Sequence, residues 1–364
     1  MTLAAFVSHL GFGLALVALS AGLTWLASRH VRVMDVPNAR SSHARPVPKS
    51  GGVAIVTTFV AGLVAIYFVA DVARIEDRYF WGFLACVALL AVVSFVDDVN
   101  QRSYAAKLAV QVLCAGAVVA AGFTVDKLWV PFAGQVPLGW LAYVVTFLWV
   151  VGLTNACNFM DGLDGLAAGV AAIAGCFLGA IALTQQSLFV YAASWALVAS
   201  ALGFLLFNFP PARIFMGDAG STFFGFTFAA LAVIGANLDL GHLSFYVVPM
   251  LLFQFIFDTF FTFVRRLLRG EPVHQAHRTH LYQLLQRSGY SHRAVTLLHY
   301  AMALAQGVGA FVIVNLEPPR RALVFLPFIA LNAAYAVWVL RRARRAGVGA
   351  ELGSPIGQPD ASGR

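Results

Sequence analysis

LGWLAYVVTFLWVVGLTNACNFMDGLDGLAAGVAAIAGCFLGAIAL, residues Leu138–Leu183, is a pair of apolar runs joined by a polar elbow. The runs, Leu138 to Leu153 and Leu166 to Leu183, each approach the ~20 residues a helix needs to cross the hydrocarbon core of a bilayer. The elbow sets Asn155, Asn158, Asp161 and Asp164 at three-residue intervals, the spacing that gathers side chains near one helical face.

Working outward, apolar windows recur at about Leu3 to Leu26, Gly52 to Ala70, Phe80 to Val96, Ala105 to Phe123, Leu188 to Phe207, Phe223 to Ala236, Phe245 to Val264, Val295 to Val314 and Ala322 to Leu340. With the opening pair they make eleven spans. Hydrophobic residues form 60% of the 364 and charged residues 11%, against roughly 45–50% and 25% in a soluble domain. The expected fold is therefore all-α, a polytopic integral membrane protein. Residues 1–345 read as one membrane domain and 346–364, rich in Gly, Pro and Ser, as a disordered cytoplasmic tail.

Cytoplasmic loops retain Lys and Arg during insertion. Of the 24 basic residues, nineteen fall in alternate loops and at the C-terminus, and five, Arg74, Arg78, Lys127, Arg320 and Arg321, on the other side. With eleven spans this puts the N-terminus outside, in the periplasm, and the C-terminus in the cytoplasm. The first span has neither an early basic region nor a small-residue cleavage site and reads as a retained helix. Cys86, Cys114, Cys157 and Cys176 show no paired spacing, so neither a disulfide nor a zinc site is indicated. The net charge of +8 is spread over one membrane face, which fits topology and anionic lipid and gives no nucleic-acid module.

A charged side chain at mid-bilayer costs roughly 2.5–3.5 kcal/mol. Asp97, Asp98, Asp161, Asp164 and Asp218 avoid that cost by falling at cytoplasmic helix ends, on three separate inner loops. The orientation follows from the basic residues alone, so the placement of the acids agrees with it independently. An active site on the cytoplasmic face is expected.

SFVDDVNQRSYAAK supplies adjacent carboxylates, Asp97 and Asp98, followed by Arg102 and Lys107. Adjacent acids point in different directions, so one can meet a metal or phosphate while the other accepts a proton; a solvated helix cap fits equally well. In the elbow, amides and carboxylates are hard oxygen donors suited to Mg²⁺ or Mn²⁺, with Gly162 and Gly165 allowing close approach. FNFPPARIFMGDAGSTFFGF starts at Asn208 and offers Asp218 as a hard ligand, with Gly217, Gly220 and Ser221 at a helix start as anion donors. Phe215 beside this turn fits a base-stacking face or an ordinary core position. The last inner loop carries His274, His277, His280 and His292 among six arginines, which suits a polyanion; no Cys or close Glu completes a zinc set. His292 and His299 read as structural or surface residues. Hard ligands, phosphate-binding cations and an aromatic shelf at membrane depth together suit phosphoryl transfer to or from a lipid.

With these motifs in place, the chain resembles the polyprenyl-phosphate N-acetylhexosamine-1-phosphate transferases, glycosyltransferase family 4, over about Asp35 to Gln286. The resemblance rests on DVPNARSSHARPVPKSGG, VDDVNQRSYAAK, NACNFMDGLDGLAAG, FNFPPARIFMGDAGS and HRTHLYQ, in the family's order. It implies a bacterial inner-membrane enzyme that moves a sugar 1-phosphate from a UDP-sugar to undecaprenyl phosphate, releasing UMP and requiring Mg²⁺, with Mn²⁺ as a substitute. By motif position it implies that Asp218 and Asn158 hold the metal and that Asp97 deprotonates or orients the lipid phosphate. Asp98 and Asp161 support the metal and its waters. Asn208, Phe215 and Asp164 hold the uracil, and Lys107, Arg45 and His280 contact phosphates. Relatives often carry two or three histidines where this chain reads His280, Leu281, Tyr282 and Gln283, and only His280 matches. The form resembles the O-antigen-initiating, lipopolysaccharide branch, which implies a donor such as UDP-N-acetylglucosamine, UDP-N-acetylfucosamine or UDP-N-acetylquinovosamine. Enterobacterial common antigen, teichoic-acid linker and peptidoglycan synthesis stay open, as does a homodimer; the implied partners are the two substrates and membrane lipid, not nucleic acid.

Two other classes fit less well. A transporter needs acids or broken helices near span centres, often in repeated halves, and here the span centres read as almost uncharged. A CDP-alcohol phosphotransferase needs an Arg and later acids that DGLDGLAAG lacks.

Overall fold

The computed structural model describes residues 3–31, 33–36, 45–70, 73–100, 104–237, 243–272 and 277–348. The tail expected at 346–364, from 349 onward, and His274 lie outside the described residues. The chain is α1 (Leu3–His30), β1 (Met34–Asp35), β2 (Val47–Pro48), α2 (Gly51–Val69), α3 (Asp77–Asn100), α4 (Tyr104–Ala120), β3 (Lys127–Val130), β4 (Gly134–Pro137), α5 (Leu141–Phe159), α6 (Leu166–Thr184), α7 (Leu188–Asn208), α8 (Gly217–Asn237), α9 (Val247–Leu251), α10 (Phe253–Leu267), α11 (Leu281–Arg287), α12 (His292–Asn315) and α13 (Phe325–Arg345). The strands form two separate two-stranded ladders, β1 with β2 and β3 with β4. The architecture is an all-α, multi-pass membrane bundle.

Among the described residues nine helices are long and apolar enough to cross a membrane. The other two expected windows take different forms. α4 is a 17-residue apolar helix, and Phe245 to Val264 is broken at Leu252 (φ −113°, ψ 20°) into short α9 and α10. That window also departs from the expectation of nearly uncharged span centres, because Asp258 on α10 is buried at 2% exposure.

α8 is the central post. Of its most apolar window 94% is buried, packed mainly against α5, α3 and α2, with α6, α7 and α9 also touching it. Between apolar helices in lipid there is no water to expel, so close backbone approach at small residues drives association. Gly225 on α8 rests against the Leu153 carbonyl and Thr154 backbone of α5, where a Cβ would come within 2.7 Å and 2.6 Å. Gly203 on α7 meets the Val17 and Ala21 backbone of α1 in the same way, and the Ser20 hydroxyl donates to the Ser200 carbonyl at 2.6 Å.

Antiparallel connections bring the C-terminal ends of α3, α5 and α7 and the N-terminal ends of α2, α4, α6, α8 and α12 to one end of the bundle. The α2 start is pinned there, since Gly51 and Gly52 N–H donate to the carbonyls of Phe215 (2.9 Å) and Met216 (2.8 Å). At the opposite end the β3–β4 hairpin is held by the Tyr246 hydroxyl on the Trp129 carbonyl, 2.9 Å.

Gly225→Val forces a side chain into the α5 backbone and is expected to destabilise the protein by about 1–3 kcal/mol. Gly116→Ala on α4, where a Cβ meets nothing within 4 Å, is the control. Thermal unfolding in detergent should separate the two; equal melting temperatures would refute this packing.

Candidate functional site

The acid-bearing helix ends converge on Lys107. Its ammonium, at the start of α4, touches the Asp218 carboxylate at the start of α8 and lies 3.6 Å from Asp97 at the end of α3. Lys107 and Asp98 are both buried, at 8% and 7% exposure, and Asp98 is met by Lys49 (3.4 Å) and by the Ala219 N–H (3.4 Å). The first turn of α8 favours an acid, because its free N–H groups carry partial positive charge. Gly217 just before Asp218 has φ +67°, and a Cβ there would lie 2.5 Å from Asp98 Oδ2, so only glycine fits.

Asn158, on the last turn of α5, donates to Asp218 Oδ1 (3.0 Å) and to Ser221 Oγ (2.9 Å). The expected single row of amides and acids does not hold. α5 ends at Phe159, because Asp161, Gly162, Asp164 and Gly165 favour a turn over continued helix, with Gly165 at φ +70°. Asn155 turns away to donate to Gln111 at 2.7 Å. Asp161 follows the helix end, and its carboxyl is pushed well above the usual range by burial and then by Asp218, Asp98 and Asp164.

Asp164 and Asn208 form a second group. Asp164 Oδ2 accepts the Ala212 N–H (3.0 Å), and Oδ1 lies 3.1 Å from His292 Nδ1. Burial works against its charge, yet His292 and the Ala212 N–H prevail and hold the carboxyl below its usual range. Asn208 Oδ1 accepts the Gly165 N–H (3.0 Å) while its amide donates to the Ile214 carbonyl (2.8 Å). α12 grips the same turn, with the Thr296 hydroxyl on the Asp164 carbonyl (2.9 Å) and the Tyr300 hydroxyl on the Gly165 carbonyl (2.6 Å). Both side chains thus brace the elbow against the Pro210–Pro211 turn, and His292 is a working partner rather than a surface residue. Phe215 is half-buried beside them, its N–H on the Pro48 carbonyl at 2.7 Å. Arg45 is exposed, and no contact described joins it to either group.

His280 faces another part of the site. It lines a cleft of about 720 Å³ between α5 and α10, with Lys107, Asn158 and Arg266 at the polar end and Leu148, Gly152, Phe260 and Phe263 along apolar walls. Phe260 and Leu148 are exposed on the outer surface, at 67% and 61%, so the cleft opens toward lipid. His280 Nδ1 lies 3.2 Å from Asp258. Asp258 and Lys49 were missed from sequence; an acid inside an apolar run, seven residues before Arg265, was the available signal for the first.

The donor chemistry fits a hard divalent cation. Four carboxylates share the region with Lys49 and Lys107, and buried Asp97 Oδ1 has no hydrogen-bond partner among the described residues. Also among the described residues, no three His, Cys, Asp or Glu side chains form a ready-made cage.

Residues 80–236 match the family described as Glycosyl transferase family 4. A protein of Bacillus subtilis strain 168 named "Probable undecaprenyl-phosphate N-acetylglucosaminyl 1-phosphate transferase" is 35% identical over 78% of each chain. The decaprenyl-phosphate N-acetylglucosaminephosphotransferase of Mycobacterium leprae is 29% identical over 91% of each. A phospho-N-acetylmuramoyl-pentapeptide-transferase of Listeria monocytogenes is also 29% identical, over 73% of this chain and 82% of its own.

The depressed Asp164 carboxyl contributes stability that is present above its unfolded pKa of about 4 and is lost as pH falls through the lower folded value. Asp164→Asn is therefore expected to melt lower than wild type at pH 7, with the gap closing below pH ~4. A pH-independent gap would mean that the charge of Asp164 adds nothing to the elbow.

Proposed function

The chain belongs to the polyprenyl-phosphate N-acetylhexosamine-1-phosphate transferase family, and on that premise we propose that it transfers N-acetylglucosamine 1-phosphate from UDP-N-acetylglucosamine to undecaprenyl phosphate. The products are undecaprenyl-diphospho-N-acetylglucosamine and UMP, the first lipid-linked intermediate of a cell-surface polysaccharide such as O-antigen. The sugar is the one in the names of the Bacillus and Mycobacterium relatives. The observation that carries the reading is the cleft, which joins a polar end at Lys107, Asn158 and His280 to apolar walls open to lipid. A long-chain lipid phosphate has that same division.

In this reading the lipid phosphate enters along α5 and α10 until its head meets Lys107 and His280. Asp97 takes its proton or orients it, and a phosphate oxygen attacks the sugar-bearing β-phosphorus. The bond to the α-phosphate breaks and UMP departs with the electron pair. Asp218 and Asn158 would hold Mg²⁺, with Asp98 and Asp161 behind them, and a cation bound there would supply charge neutralisation for the diphosphate. Phe215 stacks on the uracil, Asp164 and Asn208 fix the turn that faces it, and Arg45 reaches the phosphates from the loop before β2. Cytoplasmic UDP-sugar requires this end of the bundle to face the cytoplasm, in keeping with the loop charges.

Purified protein given undecaprenyl phosphate, Mg²⁺ and a panel of UDP-sugars is expected to release UMP with UDP-N-acetylglucosamine. Release from no donor overturns the enzyme reading, and release only from another donor overturns the sugar. Gly152→Trp fills the cleft where a Cβ now meets nothing within 4 Å. It is expected to raise KM for the lipid roughly tenfold or more, the order of one or two lost apolar contacts, with KM for the UDP-sugar unchanged. A rise in the latter alone would place the lipid elsewhere.

A further inference from the structure

We propose that Asp258 is a positioning residue for His280, fixing which imidazole nitrogen faces the cleft and hence what hydrogen bond His280 offers a phosphate there. The inference rests on the function proposed above.

Asp258 lies inside a window that sequence reads as plain membrane helix, and a carboxylate in such a place is costly unless its oxygens are met. They are met almost entirely by one short segment. Oδ1 accepts the Leu281 N–H at 2.9 Å and the Thr262 hydroxyl at 3.1 Å, and stands 3.2 Å from His280 Nδ1; Oδ2 accepts the Tyr282 N–H at 3.2 Å. The carboxylate therefore fastens the start of α11 to α10 and faces one defined nitrogen of His280. A carboxylate accepts and does not donate, so Nδ1 carries the hydrogen and Nε2 is the nitrogen left for the cleft. Carboxylate partners fix imidazole tautomers in this way at metal and catalytic sites.

The ring is also held flat. His277 lies against it at a centroid distance of 4.9 Å and Phe159 at 5.8 Å, with the rings inclined by 29° and 28°. The loop that carries it is tied back to α10 by Arg265 on the Thr279 carbonyl and by Arg266 on the Pro272 carbonyl, the latter at 2.8 Å. α11 has an anchor of its own in the Tyr282 hydroxyl, which donates to the Phe159 carbonyl at 2.9 Å. Removing the charge of Asp258 leaves α11 its Tyr282 anchor and changes the partner of His280 and of one of the backbone N–H groups that start the helix. Gln283 Oε1 accepts the His280 N–H at 3.3 Å, which holds the backbone at the start of α11.

The test is a double-mutant cycle in the full-length detergent-purified protein with undecaprenyl phosphate and UDP-N-acetylglucosamine. Asp258→Asn is expected to lower kcat/KM for the lipid by about 10–100-fold, with KM for the UDP-sugar unchanged. Added to His280→Gln it should cause no further loss. Losses that multiply would mean that Asp258 acts apart from His280, as a helix cap alone, and would overturn the proposal. A second measurement needs neither turnover nor an Asp258 variant: ¹⁵N-histidine spectra of the wild type, with His280 identified as the signal missing in His280→Gln. The Nδ1–H form is expected; an Nε2–H form or a mixture overturns the proposal. If no donor releases UMP, the proposed function fails while the spectrum still decides the pairing.

Discussion

Everything at the polar end of this bundle depends on one ammonium. Acids brought by α3 and α8 meet at helix ends where Asp97 and Asp218 are only partly exposed, so each gives up part of its hydration and opposite charge offsets that loss. Lys107 reaches both Asp97 and Asp218, and with Lys49 on Asp98 it ties the ends of α2, α3, α4 and α8 together while leaving the acids in excess. The amide of Asn158 then joins α5 to the same carboxylate. Removing that centre leaves like charges facing each other at a helix junction.

From this centre the site divides on either side of the α5 end. To one side lies the cleft between α5 and α10, apolar along its walls and polar at its head. To the other lies the braced turn of Asp164, Asn208 and His292, made mostly of backbone contacts. A reaction that joins a greasy phosphate to a nucleotide sugar needs two such unlike approaches meeting at one charged point. In the proposed reading α5 is the shared wall, since Asn158 faces the acids while Leu148 and Gly152 face the lipid.

Much of this was legible in the sequence for physical reasons. Long apolar runs have few alternatives in a bilayer, so the expected windows landed on helices, and Asp97, Asp218, Asn158 and Lys107 announced themselves as polar groups where polarity is costly. What was not legible depended on tertiary partners. Three-residue spacing suggested one continuous row through Asp164, but the two glycines end α5 at Phe159, and Asn155 finds Gln111 instead. Asp258 was read as part of an apolar span because its partners, the N–H groups of Leu281 and Tyr282, lie more than twenty residues away. The role of His292 was hidden likewise, since nothing near it in sequence points to Asp164.

The burial of α8 also bears on how the protein is made. The helices that pack most extensively along it, α2, α3 and α5, all leave the ribosome before it does. α8 therefore enters a socket whose walls are already in the membrane, carrying Asp218 to a Lys107 that has been waiting since α4. For these helices order of synthesis and order of packing coincide, and Asp218 is the last acid of its cluster to be inserted.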